Sequence, residues 1–365
     1  MIPEIVQRLL SSPYHANSLC SFIENKSIDF VLLEEILTAS KRRNHWANFG
    51  PVLCALEAYL AELLNIPADK AVVMCKSATD ALFIVCHLKT IAKATPLRWV
   101  VSGYGFFSTH IGCLANSLVL DCDERGLLSL EALKALPIDA WDGVVVTNMF
   151  GLFDDLSEYS DYCRLHGKAI IIDNALGFFY PGRQNSDAPD EVISFHQTKP
   201  WGMGEGGCLI INNSEQALAK SLINFGVESR NTQAYAMNSK LSDFDSALIL
   251  QRLLHIDDWL SLYRQQTQRV KTIAQTLGGQ LLFPIADDKF LGHIPVLFPQ
   301  AISAERIVQQ HQVIQFGKYY LPLAPGLAQA SALYQHILNI PSHSGMALLT
   351  DQQIMTAITD VIKPD

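Results

Sequence analysis

Lys199 stands between an apolar run, Val192-Ile193-Ser194-Phe195, and a turn with glycines at 202, 204, 206 and 207; a second apolar run, Cys208-Leu209-Ile210-Ile211, follows at once. Glycine lets the backbone take positive φ and come close to a bound group. A lysine held there is partly desolvated, and desolvation lowers an amine's pKa toward nucleophilic use. A β-hairpin whose lysine merely reaches solvent would satisfy the same pattern.

Four further features sit where apolar runs end. Ser77-Ala78-Thr79 follows Ala71-Val-Val-Met-Cys75 and opens a helical pattern. Small hydroxyl residues at a helix N-terminus offer backbone N–H groups and a favourable dipole end to a phosphate, or serve only as an N-cap. Phe106-Phe107-Ser108-Thr109 follows Trp99-Val-Val-Ser102; an aromatic there can stack on a planar ligand or pack in the core. Asp173 ends Ile170-Ile-Ile, and a buried acid needs a partner: a pyridinium nitrogen, a helix N-terminus or an N-cap role. Ser194 lies five residues before Lys199, able to place its hydroxyl on the same ligand or to be a plain strand residue. A phosphate cup, an aromatic, a buried acid and a lysine are together what pyridoxal phosphate (PLP) requires. The acid keeps the ring nitrogen protonated, so the ring accepts electron density, while the lysine binds the cofactor and moves protons.

The elements that must position these residues alternate. Strands are expected at 71–75, 99–102, 118–121, 143–147, 169–173, 192–195 and 208–211. Helices are expected at 52–64, 79–90, 107–115, 129–136 and 156–166. Short apolar runs between helices indicate an α/β fold, a mostly parallel sheet covered on both faces. Ligands of such sheets bind at the carboxyl ends of the strands. Beyond about residue 215 the pattern changes to long helices, one spanning 242–263. A strand at 294–298 and helices at 304–311 and 351–362 follow. This reads as a smaller α+β C-terminal domain. The division expected is an N-terminal helical segment (1–45) packed on the small domain, a large domain (46–255) and the small domain (256–365).

Composition bounds the function. The 365 residues are 49% hydrophobic and 17% charged, and mean hydropathy is +0.16, ample for a large core. A net charge of −9 argues against a nucleic-acid surface, which needs clustered basic residues. Lys41-Arg42-Arg43 is more simply a solvated helix end. The eight cysteines are scattered without a CxxC pair, so neither a disulfide framework nor a metal site is expected. No stretch approaches the ~18 apolar residues of a membrane span, and the N-terminus lacks the apolar core of a signal peptide. A cytoplasmic protein is expected.

From Asn48 to the C-terminus the chain resembles the DegT–DnrJ–StrS family of PLP-dependent sugar aminotransferases, within the aspartate aminotransferase superfamily. The family signature S-F-H-x-x-K-x-x-x-x-G-E-G-G is matched at every fixed position by Ser194–Gly207. Ser77–Leu82 corresponds to S-G-T-x-A-L, Gly105–Thr109 to T-F-x-A-T, Asn148–Gly151 to H-x-F-G, and Ile172–Leu176 to E-D-A-A-Q. Asn238–Asp243 resembles N-x-R-M-S-D, and Ile340–Met346 resembles L-P-L-H-P-G-L. The resemblance implies fold type I, with Lys199 as the Schiff-base lysine and Asp173 as partner of the pyridine nitrogen. Phe106 would be the stacking aromatic, Ala78 and Thr79 the phosphate loop, and Ser194 a phosphate hydroxyl. Asn238 would reach the phosphate of a neighbouring subunit, which implies a homodimer with shared active sites. His343 matches a substrate-side region. The implied reaction moves an amino group from an amino acid such as glutamate to a keto-sugar, nucleotide-linked in many relatives.

Departures bear on that reading. Leu176 stands where the family has Gln or His on the cofactor's ring oxygen, and it cannot hydrogen-bond; Asn174 is the nearest substitute. Ala78 replaces Gly, Asn148 replaces His and Lys240 replaces Arg. Leu176 supports a competing function, a catalytically altered PLP-binding relative with a structural or regulatory role. A nicotinamide-dependent oxidoreductase lacks the GxGxxG that an early strand would need.

Overall fold

The computed structural model describes residues 3–11, 18–185, 187–227, 230–309 and 312–363. Its strands are β1 (Lys70–Cys75), β2 (Trp99–Ser102), β3 (Tyr104–Gly105), β4 (Leu118–Leu120), β5 (Gly143–Thr147) and β6 (Ala169–Asp173). They continue with β7 (Asp190–Ser194), β8 (Gly207–Asn212), β9 (Gln280–Leu281), β10 (His293–Leu297), β11 (Leu321–Pro322) and β12 (Ile337–Pro341). Seven form one sheet in the order β1-β8-β7-β6-β5-β2-β4. Pairing is parallel from β4 through β7; β8 runs antiparallel to both β7 and β1.

Side-chain alternation along the strands makes two buried faces. Val73, Val101, Val145 and Ile171 meet Leu82, Val85 and Leu88 of helix Ala78–Lys93. On the other face Val72, Met74, Ile193 and Cys208 meet Leu53, Leu56 and Leu60 of helix Pro51–Leu63. Cover on both faces is why these strands read as unbroken apolar runs. Farther along that second face, Val144, Val146 and Ile172 share one core with Ile294, Val296 and Ile340 of the C-terminal part. There β12, β10 and β9 form an antiparallel sheet. Helix Asp351–Ile362 packs beside it, opened by a capping box between Thr350 and Gln353.

Several expected elements differ. The helix expected over 107–115 is two 3-10 turns, Phe107–His110 and Gly112–Leu114. Gly112 takes φ +57° between them, and a Cβ there would lie 2.6 Å from the Phe83 ring. The helix expected over 242–263 is two, Asp243–Leu254 and Ile256–Thr276, broken at His255. The helix expected to reach His311 is described as Ala304–Gln309, and His311 lies outside the described residues. The described residues of the N-terminal segment make contacts in two places. Cys20 bridges to Ile314, whereas helix Phe30–Arg43 lies against Pro51–Leu63 and Asp243–Leu254.

Candidate active site

Parallel strands deliver their carboxyl ends to one edge of the sheet, and the reversed β8 begins there. Thr147 pairs with Asp173 across β5 and β6. Gly207 pairs with Ser194 on one side and Cys75 on the other. Gly207 has to be glycine: a Cβ would fall 2.1 Å from the Ser77 carbonyl carbon. That close approach seats the start of helix Ala78–Lys93 against the lysine turn. A cavity of about 400 Å³ opens at this edge, lined by Ala78, Thr79, Phe106, Asp173, Ser194, Lys199 and His343, among others.

The glycine-rich stretch is a hairpin extension of β7 and β8. Phe195 N donates to Gly206 O (2.8 Å) and Gln197 N to Gly204 O (2.9 Å). Trp201 pins its tip, stacking on Phe178 with centroids 4.8 Å apart and donating Nε1–H to Ser194 O at 2.7 Å. Lys199 sits in a tight turn, its N–H on His196 O (2.9 Å) and its carbonyl accepting from Gly202 N (3.0 Å). Burial pushes the Lys199 amine down to about 8, and Asp173 opposes that shift. Asp173 is 5% exposed and accepts from Ala175 N at 3.0 Å. Burial raises its pKa, while Ala175 and Lys199 act to lower it.

Ser77 is an N-cap, its Oγ accepting from Asp80 N at 3.1 Å. The phosphate-cup reading therefore rests on Ala78 and Thr79, whose amides head the helix and take no partner within it. Phe106 lines the cavity with half of its surface exposed. Asn238 is exposed and does not line the cavity; its Oδ1 accepts from Lys240 Nζ at 2.6 Å. His343 borders the cavity, but both ring nitrogens are engaged. Nδ1 accepts from Gly345 N (3.1 Å), so Nε2 carries the proton that faces Ser21 O (2.9 Å). It ties Ser21 of the N-terminal arm to the turn that follows β12.

Asn174 does not stand in for Leu176. It is fully buried and its Nδ2 donates to Glu191 Oε1 at 2.9 Å, beside the buried Arg183–Glu191 ion pair. Leu176 lines the cavity and Asn174 does not. Asn148, another polar wall residue, is closed on itself: its amide bonds the Phe153 backbone through both ends, 2.8 and 3.0 Å.

The structure adds wall residues that motif reasoning missed, including Phe22, Glu24, His293, Tyr319 and Tyr320. His293 Nε2 is buried with no hydrogen-bond partner. Burial, with the nearby Lys199 charge, pushes it down to about 3, so the ring is neutral. A histidine opening an apolar strand run was the available signal. Among the described residues no group of side chains is arranged to hold a metal ion.

Comparison with known proteins agrees with this geometry. Rv3402c of Mycobacterium tuberculosis is 31% identical over 258 residues, covering 66% of this chain and 61% of that protein. This chain thus spans about three fifths of that relative's length. The dTDP-4-amino-4,6-dideoxy-D-glucose transaminase of Shigella dysenteriae is 21% identical, covering 91% of this chain and 95% of its own. The crystal structure of DesI in the presence of its TDP-sugar product superposes with a TM-score of 0.77 at 20% identity, over 95% of this chain and 94% of DesI. The profile of the DegT/DnrJ/EryC1/StrS aminotransferase family matches residues 32–359. With that match spanning both the seven-stranded and the three-stranded sheet and the lysine turn, the chain belongs to the DegT/DnrJ/EryC1/StrS aminotransferase family.

Proposed function

We propose that this chain is a PLP-dependent aminotransferase that moves an amino group from an amino acid, glutamate in the first instance, to a nucleotide-linked keto-sugar. The observation that carries this is the amine of Lys199, held near pKa 8 beside the buried Asp173 in a roughly 400 Å³ cavity at the strand ends. The residues present fit the cofactor. Ala78 and Thr79 at the helix start and Ser194 would hold its phosphate, Phe106 its ring face, Asp173 its ring nitrogen and Lys199 its aldehyde carbon. When bound, PLP supplies an electron sink for the substrate's Cα electrons. The amine of Lys199, once free, would act as the general base that takes the proton from the substrate's Cα. Family membership and the names of the relatives support the sugar acceptor.

We further propose a homodimer with shared active sites. Asn238 is solvent-exposed, and Phe106, Phe107, Ile111, Phe225 and Val227 expose apolar surface. Eight free cysteines support a cytoplasmic site, and no described helix is long and apolar enough to cross a membrane.

Purified protein should bind PLP with a visible absorption band that Lys199→Ala abolishes. Glutamate should convert the cofactor to its pyridoxamine form, and a panel of nucleotide-linked keto-sugars should identify the acceptor by restoring the band. Mixed Lys199→Ala and Asn238→Ala subunits should recover activity that neither has alone. Leu176 favours a second reading, a PLP-binding relative that does not turn over; a spectrum unmoved by glutamate or any other amino acid would support it.

A further inference from the structure

Lys26 reaches the lysine turn from a different part of the chain. Its Nζ donates to the carbonyls of Gln197 (2.8 Å), Gly202 (2.6 Å) and Lys199 itself. An ammonium has three N–H donors, and here all three go to the one turn whose shape decides where the Lys199 amine stands. Arg252 adds a fourth contact, Nε to Pro200 O at 2.9 Å. The arm that carries Lys26 is fixed on both sides. Glu24 accepts from Arg252 Nη2 (2.6 Å), Tyr263 Oη (3.0 Å) and Ser344 Oγ (2.7 Å). Asp29 caps helix Phe30–Arg43 through Val31 N (2.9 Å) and Leu32 N (3.1 Å).

We infer that Lys26 is a positioning residue for Lys199: its ammonium fixes the turn that presents the amine and, as a like charge, disfavours protonation of that amine. The charged groups facing the pair are few. Lys26 faces Glu24, Arg252 and Lys199 and the buried ring of His343; Lys199 faces Asp173, with the neutral His293 also near it. Burial pushes Lys26 down to about 7, but three carbonyls on Nζ favour its charged form. Lys199 has a single carboxylate and no such cradle. The like charges of Lys26 and Lys199 oppose each other, so each makes the other easier to deprotonate.

This inference rests on Lys199 being the amine that holds the cofactor, yet its test does not need cofactor. Competitive acetylation of the cofactor-free full chain between pH 6 and 11, read by peptide mass spectrometry, gives the titration midpoint of Lys199. Lys26→Met should raise that midpoint by about half a pH unit or more, the scale of one like charge in a partly desolvated site. It should also slow PLP uptake at pH 7 several-fold, and Lys26→Arg should restore the midpoint. An unchanged midpoint in a folded Lys26→Met protein overturns the inference. If that variant does not fold, the unmodified chain decides: Lys26 should label at least tenfold more slowly than the exposed Lys41, and equal labelling overturns the inference. Failure of the chain to take up PLP would count against the proposed function while leaving the Lys199 midpoint to decide the role of Lys26.

Discussion

A lysine kept below its ordinary pKa costs the empty fold stability, and the cost has a definite pH signature. Lys199 falls from 10.5 to about 8 on folding. At ~1.4 kcal/mol per pH unit this is about 3 kcal/mol between its two protonation states, and cavity water and the loss of Asp173's partner bring the expected effect to about 2 kcal/mol. The folded-state pKa of this base is depressed, so between about pH 8 and 10.5 the unfolded chain binds more protons, and stability rises with pH. Below pH 8 the full penalty applies. Lys199→Met in the cofactor-free protein should therefore be the more stable form by about 2 kcal/mol at pH 7, and the advantage should vanish by pH 10.5. Paired urea titrations of wild type and variant across this range cancel the lysines that do not interact with Lys199; Lys26, relieved of that like charge in the variant, shifts the difference in the same direction. A difference that stays flat with pH would refute the assignment of Lys199 as a strained amine.

Asp243 is fully buried and takes hydrogen bonds from Ser40 Oγ, Val52 N (3.2 Å) and Leu53 N (3.0 Å). Asp243→Ala should cost about 3 kcal/mol in urea unfolding, one net hydrogen bond each and an exposed helix start. Gly207→Ala drives a Cβ into the Ser77 backbone; PLP affinity measured by dialysis should fall at least tenfold, because lysine turn and helix start must move apart. Leu176→Gln restores a hydrogen-bonding group to the cavity wall and should tighten PLP binding by no more than about tenfold, the worth of one hydrogen bond. His293→Leu should leave PLP affinity within about threefold and slow the glutamate half-reaction in stopped-flow absorbance about tenfold or more, because a neutral, unpartnered imidazole on the cavity wall is placed to meet substrate.

How much of this was legible depends on where information sits in a sequence. The central sheet was, because strands buried on both faces must be apolar throughout: Val144 to Val146 and Ile170 to Ile172 announce themselves. The lysine turn was too, since backbone crowding at Gly207 and Gly202 excludes other residue types and so leaves a motif. The turns at 107–114 were not, because a single Gly112 interrupts an otherwise helical composition. Lys26 was invisible for a different reason. It acts through main-chain carbonyls, which every residue has, so nothing in its partners' identities points back to it. Asn174 misled because sequence proximity to Leu176 says nothing of direction: the peptide past Asp173 turns the amide to Glu191.

The N-terminal arm sets an order of events during synthesis. Cys20 N donates to Val313 O, and Gln315 N returns a bond to Cys20 O, partners that lie almost three hundred residues apart. A chain still emerging from the ribosome has its lysine turn long before it has residues 313–315, Ser344 or His343. Until those arrive, the arm lacks the C-terminal anchors that hold Lys26 against the turn. Long-range contacts of this kind form late, after their loop-closure entropy is met. Completion of the chain is thus recorded at the reactive amine, and nascent or C-terminally truncated polypeptides are expected to load cofactor poorly even where the large sheet has formed.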